Sequence, residues 1–257
     1  MAKKERADQL VHGAGLAESR EQAKRLIMAG QVYRLVPGGS AVRVEKPGQP
    51  FDTETAFSLE GKDPYVSRGA YKLLTALQHF SLDVQGFVCL DAGASTGGFT
   101  DCLLQHGAAR VYAVDVGKNQ LHEKLKSDLR VMSMEGVNLR HAPPDLLPEN
   151  VDIIVSDVSF ISLTLVLPAC VRWLGPGGFV AALVKPQFEL GPGKTEKGVV
   201  RDEALRQEAI HKVITFCDQT LGLHLLGIVP SAIKGPKGNQ EYMALWRKPE
   251  EKAGVQE

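Results

Sequence analysis

The sequence predicts an α/β protein, in which a small α+β module precedes a domain built on a mostly parallel, seven-stranded sheet. The chain has 257 residues and 44% apolar content, enough to bury one full α/β core and to build a second, smaller module. From Gly86 onward, strand and helix patterns alternate, which is typical of a parallel sheet covered on both faces. The last two strand-like segments have no helical pattern between them, so they should pair antiparallel.

Seven segments of the second domain carry strand patterns. They span residues 87–91, 110–115, 131–135, 151–157, 179–184, 223–229 and 242–247. Prolines and glycines between residues 46 and 65 indicate a linker before them. The predicted organisation is therefore a first domain with its linker at residues 1–64, the α/β domain at 65–249 and a disordered tail at 250–257.

Composition limits the classes of function. The formal net charge is zero, so any surface that binds nucleic acid must be a local one. The sequence shows neither a signal-peptide pattern nor a run of eighteen apolar residues, which predicts a soluble, cytoplasmic protein that does not bind membranes. The four cysteines are widely spaced in apolar patterns and no histidine stands at metal-ligand spacing, so we expect reduced core cysteines and no metal.

The clearest element of the first domain is a helix within residues 16–30. Ser19 is a suitable N-cap, Gln22 completes a capping box, and Gly30 stands where a glycine commonly ends a helix. Arg20 and Lys24 lie four residues apart and share one face. Residues 1–47 contain nine basic and five acidic residues, a net charge of plus four. This face is either a solvated surface or a site for phosphate groups.

A glycine-rich turn, LDAGASTGGFTD at residues 90–101, joins the first strand of the sheet to the next helix. Glycines there let the backbone approach a ligand, and the helix start offers unpaired N–H groups. The turn lacks the spacing of a dinucleotide site. Asp91 suits an ammonium group, as in the methionine part of S-adenosylmethionine, and Asp115 at the next strand end suits ribose hydroxyls. The alternatives are a coincidental turn, and a helix N-cap role for Asp115.

The proposed ligand contacts all come from this turn and the strand end that follows it. They are Asp91, Gly93, Ser95, Gly97, Gly98, Phe99 and Asp115.

The acceptor chemistry is inferred by elimination. Enzymes that methylate base amino groups usually carry Asn or Asp, then Pro-Pro and an aromatic, after the fourth strand; this chain has SDVSF at residues 156–160. Methylation of pyrimidine carbon needs an exposed cysteine nucleophile, which the pattern does not offer. What remains is a set of charged residues expected at one sheet edge: Lys72, Asp157, Lys185 and Glu241. Taken singly, each also fits a surface lysine or a strand-end carboxylate.

Two resemblances connect these features. GLAESREQAKRLIMAG at residues 15–30 resembles the RNA-binding module of ribosomal protein S-four type, although VYRLVPGG at residues 32–39 departs from the usual following loop. The chain as a whole resembles the haemolysin A family, which joins that module to an FtsJ-like methyltransferase domain. The matching strings are SRGAYKL (67–73), DAGASTGGF (91–99), SDVSFISL (156–163), VKPQFE (184–189) and KGPKGNQE (234–241).

The resemblance implies a Rossmann-like class I methyltransferase that uses S-adenosyl-L-methionine and modifies a ribose 2′-hydroxyl, that of cytidine, in ribosomal RNA. It implies a Lys-Asp-Lys-Glu tetrad in which Lys185 is the general base, Asp157 orients it, and Lys72 and Glu241 hold the ribose. It also implies that Asn138 lies near the adenine. RNA contacts are expected from Arg20, Lys24, Arg25 and Arg68.

Three other functions stay open at this point. The chain is a ribosome-associated RNA-binding protein if its methyltransferase fold is inactive, and a cytotoxin if the haemolysin name is literal. An NAD-dependent oxidoreductase is the third. Binding of S-adenosylmethionine rather than NAD separates the methyltransferase from the oxidoreductase.

Overall fold

The computed structural model describes residues 4–36, 40–59, 64–191 and 193–250. The chain divides into two compact units, Met1–Tyr65 and Val66–Glu257. Of the segment predicted as a disordered tail, residues 251–257 lie outside the described residues, whereas Glu250 forms an ion pair with Arg247.

The described part of the first unit packs two helices and five short strands around a small apolar core. The strands form two groups, β3-β2-β5 and β1-β4, and all pairings are antiparallel. The rings of Phe51 and Phe57 meet edge to face in this core, with centroids 5.3 Å apart. In chain order the elements are β1 (Lys4–Arg6), α1 (Ala7–Gly13), α2 (Arg20–Met28), β2 (Val32–Val36), β3 (Ser40–Arg43), β4 (Pro50–Asp52) and β5 (Phe57–Leu59).

The predicted linker at residues 46–65 is wrong in part. Strand β4 pairs with β1 and strand β5 pairs with β2, so both belong to the first unit. Pro50 begins β4, a position at the edge of a sheet where proline is tolerated. Three-residue strands that pair over a long sequence distance leave no local pattern, which is why the prolines dominated the prediction.

Helix α2 lies within the predicted residues 16–30 and is shorter than that range, from Arg20 to Met28. The Ser19 hydroxyl accepts a hydrogen bond from the Gln22 backbone N–H at 3.2 Å, as an N-cap does. The Gln22 side chain accepts from the N–H of Glu18 at 2.6 Å instead of the N–H of Ser19, so the predicted capping box forms only in part. Gly30 has a φ of +75°. The N–H groups of Gly30 and Gln31 donate to the carbonyls of Ile27 and Leu26, the pattern of a Schellman motif.

The second unit is a seven-stranded sheet with helices on its faces. The strand order among the described residues is β11-β12-β10-β9-β6-β7-β8; β12 is antiparallel to both neighbours and the other pairings are parallel. The elements are α3 (Ala70–His79), β6 (Val88–Ala92), α4 (Gly98–Gln105), β7 (Arg110–Asp115), α5 (Glu123–Lys126), β8 (Val131–Glu135), β9 (Val151–Ser156), α6 (Leu163–Cys170), β10 (Leu174–Val184), α7 (Pro186–Glu189), α8 (Glu203–Leu221), β11 (His224–Pro230) and β12 (Tyr242–Arg247). The predicted fold class and the antiparallel end of the sheet are confirmed.

The largest boundary difference is in β10, which begins at Leu174 instead of residue 179. Its first residues contain Gly-Pro-Gly-Gly, which predicts a turn, but the structure places a register shift between Leu174 and Phe179 and keeps the segment in the sheet. Strands β6, β9 and β10 are central, and their carboxyl-terminal halves are buried. Because they are parallel, their carboxyl ends lie at one edge of the sheet, where ligands bind in open α/β folds.

All four cysteines are free and buried, as predicted. Burial raises the pKa of Cys170 and of Cys217 to about 12, so these thiols are unreactive near neutral pH. Among the described residues, none of the helices combines the length and apolar character needed to span a membrane.

Candidate active site

A cavity of about 210 Å³ lies at the carboxyl ends of β6, β9 and β10. Four segments line it: the start of α3, the glycine-rich turn, the loop after β9 and the residue after β10. The lining residues are Ser67, Gly69, Lys72, Asp91, Gly93, Ala94, Ser95, Thr96, Gly98, Phe99, Asp157, Ser159 and Lys185. The structure therefore brings the turn and three of the four predicted catalytic residues to one cavity.

Asp91 is a fully buried carboxyl on the wall of this cavity. Its Oδ2 accepts hydrogen bonds from the Thr100 N–H at 2.9 Å and the Thr100 hydroxyl at 2.7 Å, whereas its Oδ1 has no partner among the described residues. Burial raises the pKa of Asp91 to about 7, although the Thr100 hydrogen bonds work against the shift. A buried, unpaired carboxylate oxygen fits a ligand that carries an ammonium group.

Gly97 is required by the fold of the turn. Its φ is +93°, and a Cβ there would collide with the side chains of Leu125 and Leu121. The interpretation that this glycine leaves room for a ligand is therefore corrected. Protein atoms already fill the space that a side chain at this position would occupy. Gly98 is similarly tight, since its Cβ would lie 2.9 Å from the Ala70 N–H nitrogen.

Asp115 ties the glycine-rich turn to the loop after β7. Its Oδ2 accepts from the Ser95 N–H at 2.8 Å and its Oδ1 accepts from the Gly117 N–H at 2.7 Å. Asn138 is exposed and caps a short 3₁₀ turn by accepting from the Arg140 N–H at 3.1 Å. Neither side chain is part of the cavity wall. Asp115 is nevertheless adjacent to it through Ser95.

Glu135 supports the same loop and was missed by sequence reasoning. Its Oε1 accepts from the N–H groups of Gln120 and Leu121 at 2.6 and 3.1 Å. These backbone N–H groups hold the pKa of Glu135 below its usual value. In the sequence it is an acidic residue at the end of a predicted strand, a common pattern that does not by itself indicate a role in a site.

The four charged residues form a continuous ion-paired chain. Lys72 Nζ lies 2.9 Å from Glu241 Oε2 and 3.1 Å from Asp157 Oδ2, and Lys185 Nζ lies 2.6 Å from Asp157 Oδ1. Glu241 is 0% exposed and does not line the cavity. In this arrangement Glu241 contacts Lys72 instead of the cavity, and its role in holding the ribose stays a prediction.

The two lysines have different surroundings. Burial lowers the pKa of Lys72, but Asp157 and Glu241 more than offset this effect, so its pKa is raised above the usual value. Lys72 is therefore a stable cation. Within the described part of the chain, Lys185 is 4% exposed and contacts a single carboxylate, together with the Ser159 hydroxyl at 2.7 Å and the ring of Phe188 at 5.9 Å.

Three residues that sequence reasoning missed hold this arrangement. Ser159 contacts Lys185 as described above. Gln187 donates from Nε2 to Glu241 Oε1 at 3.1 Å. The buried Glu189 accepts from the Leu163 N–H at 2.8 Å and from the Ser162 hydroxyl at 2.5 Å, so it fixes the start of α6 and the loop that carries Asp157. All three lie inside strings quoted for the family resemblance, but their roles depend on side-chain directions.

The predicted RNA contacts lie in both units. Arg20 is ion-paired with the buried Asp8 at 3.3 Å, and Lys24 with Glu21 at 2.5 Å. Arg25 is exposed on the same helix, and Arg68 is exposed before α3. The described residues contain no cluster of side chains suited to a metal ion.

Comparison with known proteins gives one family and several relatives. Residues 65–248 match the model of the FtsJ-like methyltransferase family. The chain is 45% identical over 249 residues to the 16S/23S rRNA (cytidine-2′-O)-methyltransferase TlyA of Mycobacterium tuberculosis, covering 96% of this chain and 90% of the relative. It is 40% identical over 241 residues to Hemolysin A of Brachyspira hyodysenteriae, covering 93% and 98%.

Two solved structures share the fold of this chain, at different levels of sequence identity. A candidate hemolysin from Streptococcus thermophilus superposes with a TM-score of 0.71 at 45% identity, covering 97% of this chain and 90% of the other. The N-methyltransferase NodS of Bradyrhizobium japonicum, solved with S-adenosyl-L-homocysteine, superposes at 0.51 and 20% identity, covering 71% and 87%. The second comparison shows only that the fold is shared.

Proposed function

The chain belongs to the FtsJ-like methyltransferase family, and we propose that it transfers a methyl group from S-adenosyl-L-methionine to a ribose 2′-hydroxyl of ribosomal RNA. The observation that carries this proposal is the ion-paired chain Glu241–Lys72–Asp157–Lys185, which reaches the same cavity as the glycine-rich turn. By similarity to TlyA, the proposed target nucleotide is cytidine and the proposed partner is ribosomal RNA.

The cofactor would bind along the glycine-rich turn. When bound, S-adenosyl-L-methionine supplies an electrophilic methyl group on a sulfonium cation. Asp91 Oδ1, which has no protein partner among the described residues, would meet the ammonium of its methionine part. Gly93, Ser95 and Phe99 would line the methionine and ribose, with Asp115 and Asn138 on the adenosine side.

Lys185 is proposed as the general base. A ribose hydroxyl is a weak nucleophile, so its proton must leave as the new bond forms. Two contacts fix the position of the Lys185 nitrogen: an ion pair with Asp157 Oδ1 at 2.6 Å and a hydrogen bond donated to Ser159 Oγ at 2.7 Å. Lys185 also lines the cavity in which the hydroxyl would lie. Lys72 stays charged and anchors Asp157.

Phe160 offers an aromatic surface beside the acceptor space. It is 90% exposed, its φ is +64°, and its ring lies 5.1 Å from that of Phe188, which underlies Lys185. Exposed aromatic rings stack on unpaired RNA bases. We propose that the base of the target nucleotide stacks on Phe160.

Cofactor affinity is expected to depend on pH through Asp91. Below pH 7 the carboxyl is protonated in the free protein and must lose its proton to meet an ammonium, so affinity should rise about tenfold per pH unit from pH 5.5 to about 6.5 and level off above 7. Asp91→Asn should bind more weakly and with a flat profile. Calorimetric titrations across this range measure both, and a slope retained in Asp91→Asn would assign the proton to another group.

The first unit is proposed to position RNA through phosphate contacts from α2. Because Arg20 pairs with the buried Asp8, its replacement would disturb the fold, so Lys24→Glu with Arg25→Glu is the cleaner variant. We expect weaker binding to ribosomal RNA and a salt dependence shallower by about one unit of slope per lost contact, with unchanged cofactor affinity. An unchanged salt slope would mean that this face is only solvated.

The proposed function is tested by incubating the protein with ribosomal subunits and methyl-labelled cofactor. Label should enter the RNA fraction and be absent from the ribosomal proteins. Label in the ribosomal proteins would reject the proposal. So would the absence of label from the RNA of both subunits, provided that the enzyme is shown to bind the cofactor.

A further inference from the structure

Two loops of the second unit are joined beside the candidate active site. We name residues 193–201 and 234–240 together the basic loop pair. Asn239, only 3% exposed, connects them: its Nδ2 donates to the Gly198 carbonyl at 2.9 Å, and its Oδ1 accepts from the Val200 N–H at 3.0 Å. Lys237 Nζ also donates to the Lys197 carbonyl at 3.2 Å. The loops are therefore held as one surface.

This surface is positively charged in a protein whose net charge is zero. Its exposed cations are Lys194, Lys197, Arg201, Lys234 and Lys237. Two acids oppose them, Glu208 beside Lys194 and Glu196 at 3.6 Å from Arg201. Exposed ion pairs of this kind contribute little and exchange easily for other partners. A net charge of plus three remains.

Two of the lysines occupy backbone conformations that lysine rarely adopts. Lys197 has a φ of +51° and Lys237 a φ of +57°. Left-handed backbone is unfavourable at a residue with a Cβ, and glycine or asparagine would reduce that cost. Strain retained at two facing cationic residues indicates a function for their side chains.

The basic loop pair adjoins the ion-paired chain directly. Gly235 packs against the carboxylate of Glu241. A Cβ at Gly235 would collide with the carboxylate carbon and with both of its oxygens. The Gly235 N–H also donates to the Asn239 carbonyl at 2.9 Å, so the link through Asn239 and the contact with Glu241 belong to one loop. The loop that carries Lys234 and Lys237 therefore packs against the Glu241 end of the ion-paired chain, whose other members line the cavity.

We propose that the basic loop pair binds the RNA phosphates next to the target nucleotide, with Lys197 and Lys237 as the main contacts. This inference rests on the proposed function and names a substrate-binding surface for it. In RNA, the 2′-hydroxyl is on the carbon adjacent to the one that carries the 3′-phosphate. A strand that presents its 2′-hydroxyl to Lys185 therefore brings a phosphate close to Asp157, which lines the same cavity. Nearby cations offset the repulsion between that phosphate and the Asp157 carboxylate.

The test compares two double variants of the full chain. The first carries Lys197→Gln and Lys237→Gln, and the second, the control, carries Arg110→Gln and Arg247→Gln. The control residues are exposed cations at the opposite edge of the sheet, because β7 begins at Arg110 and the antiparallel β12 ends at Arg247. Binding to ribosomal RNA is measured over a series of salt concentrations, and cofactor affinity is measured by calorimetry as a check on folding.

We expect the lysine variant to bind RNA at least about tenfold more weakly at low salt, with a salt slope reduced by about two, and to bind cofactor normally. The control variant should resemble the parent. Equal RNA affinity and salt slope in the two variants would overturn the inference while leaving the proposed function intact. If the parent protein bound no ribosomal RNA, the proposed function would fail first.

Discussion

Lys185→Ala is expected to lower the rate of methyl transfer by at least about a hundredfold, while cofactor affinity stays near that of the parent. A positioned general base contributes about a hundredfold to ten-thousandfold, and Lys185 contacts Asp157 and Ser159 on the acceptor wall of the cavity instead of the glycine-rich turn. Single-turnover methylation of ribosomal subunits and calorimetric titration measure the two quantities. A comparable loss in cofactor affinity would mean that Lys185 serves binding.

The Lys185→Arg variant distinguishes a general base from an electrostatic anchor at this position. Arginine keeps the positive charge and the ion pair with Asp157, but it cannot be deprotonated in a protein. We expect this variant to be about as inactive as Lys185→Ala. A rate close to the parent would make Lys185 an electrostatic anchor and would leave the base to be sought elsewhere.

The ion-paired chain is expected to act as a unit. Groups that act together lose activity non-additively. Because Asp157 contacts both lysines, adding Asp157→Ala to Lys185→Ala should cost far less than the product of the two single losses. Ser159→Ala should lower the rate by a smaller factor than Lys185→Ala, and Ser159→Thr, which keeps a hydroxyl, should restore part of it. Fully multiplicative losses would show that the residues act independently.

Gly97→Ala is expected to lower cofactor affinity by at least about tenfold. An alanine there adopts an unfavourable left-handed φ, which costs roughly 1–2 kcal/mol, and its Cβ collides with Leu121 and Leu125. These side chains or the turn must shift, and the turn carries Ser95 and Gly98 on the cavity wall.

Gly86→Ala is the matched control for this prediction. Gly86 also has a positive φ, of +77°, but its Cβ would meet no atom within 4 Å. It should therefore lose stability without a change in cofactor affinity. Calorimetric titration with the cofactor measures the affinity of both folded variants. Equal cofactor affinities of Gly97→Ala and Gly86→Ala would show that the packing behind Gly97 does not shape the cofactor site.

The positions of the principal site residues follow from the strand pattern. Asp91, Asp157 and Lys185 lie at the carboxyl ends of three segments that the sequence predicts to be parallel strands, and such ends share one edge of a sheet. The sequence therefore locates the candidate site without any knowledge of the side-chain contacts. It also locates the antiparallel final hairpin, because residues 231–241 contain no crossover helix.

The supporting contacts could not be predicted in the same way. Ser159, Gln187 and Glu189 act by hydrogen bonds whose partners are 26, 54 and 26 residues away in sequence, so no local pattern identifies them. The role of Gly97 was misassigned because a sequence gives the presence of a glycine but not the side on which its missing side chain would lie. The short strands β4 and β5 were missed for the related reason that their pairing is long-range.

The most direct test of the proposed chemistry is the position of the transferred methyl group. The ribose 2′-hydroxyl is the nucleophile when alkali cleaves RNA, so a methyl group there protects the following phosphodiester bond. Ribosomal RNA labelled by the parent protein should yield its label in alkali-resistant dinucleotides that contain 2′-O-methylcytidine. Label in single nucleotides that carry a methylated base would contradict the account, because an ion-paired chain built around Lys185 would then serve some other acceptor.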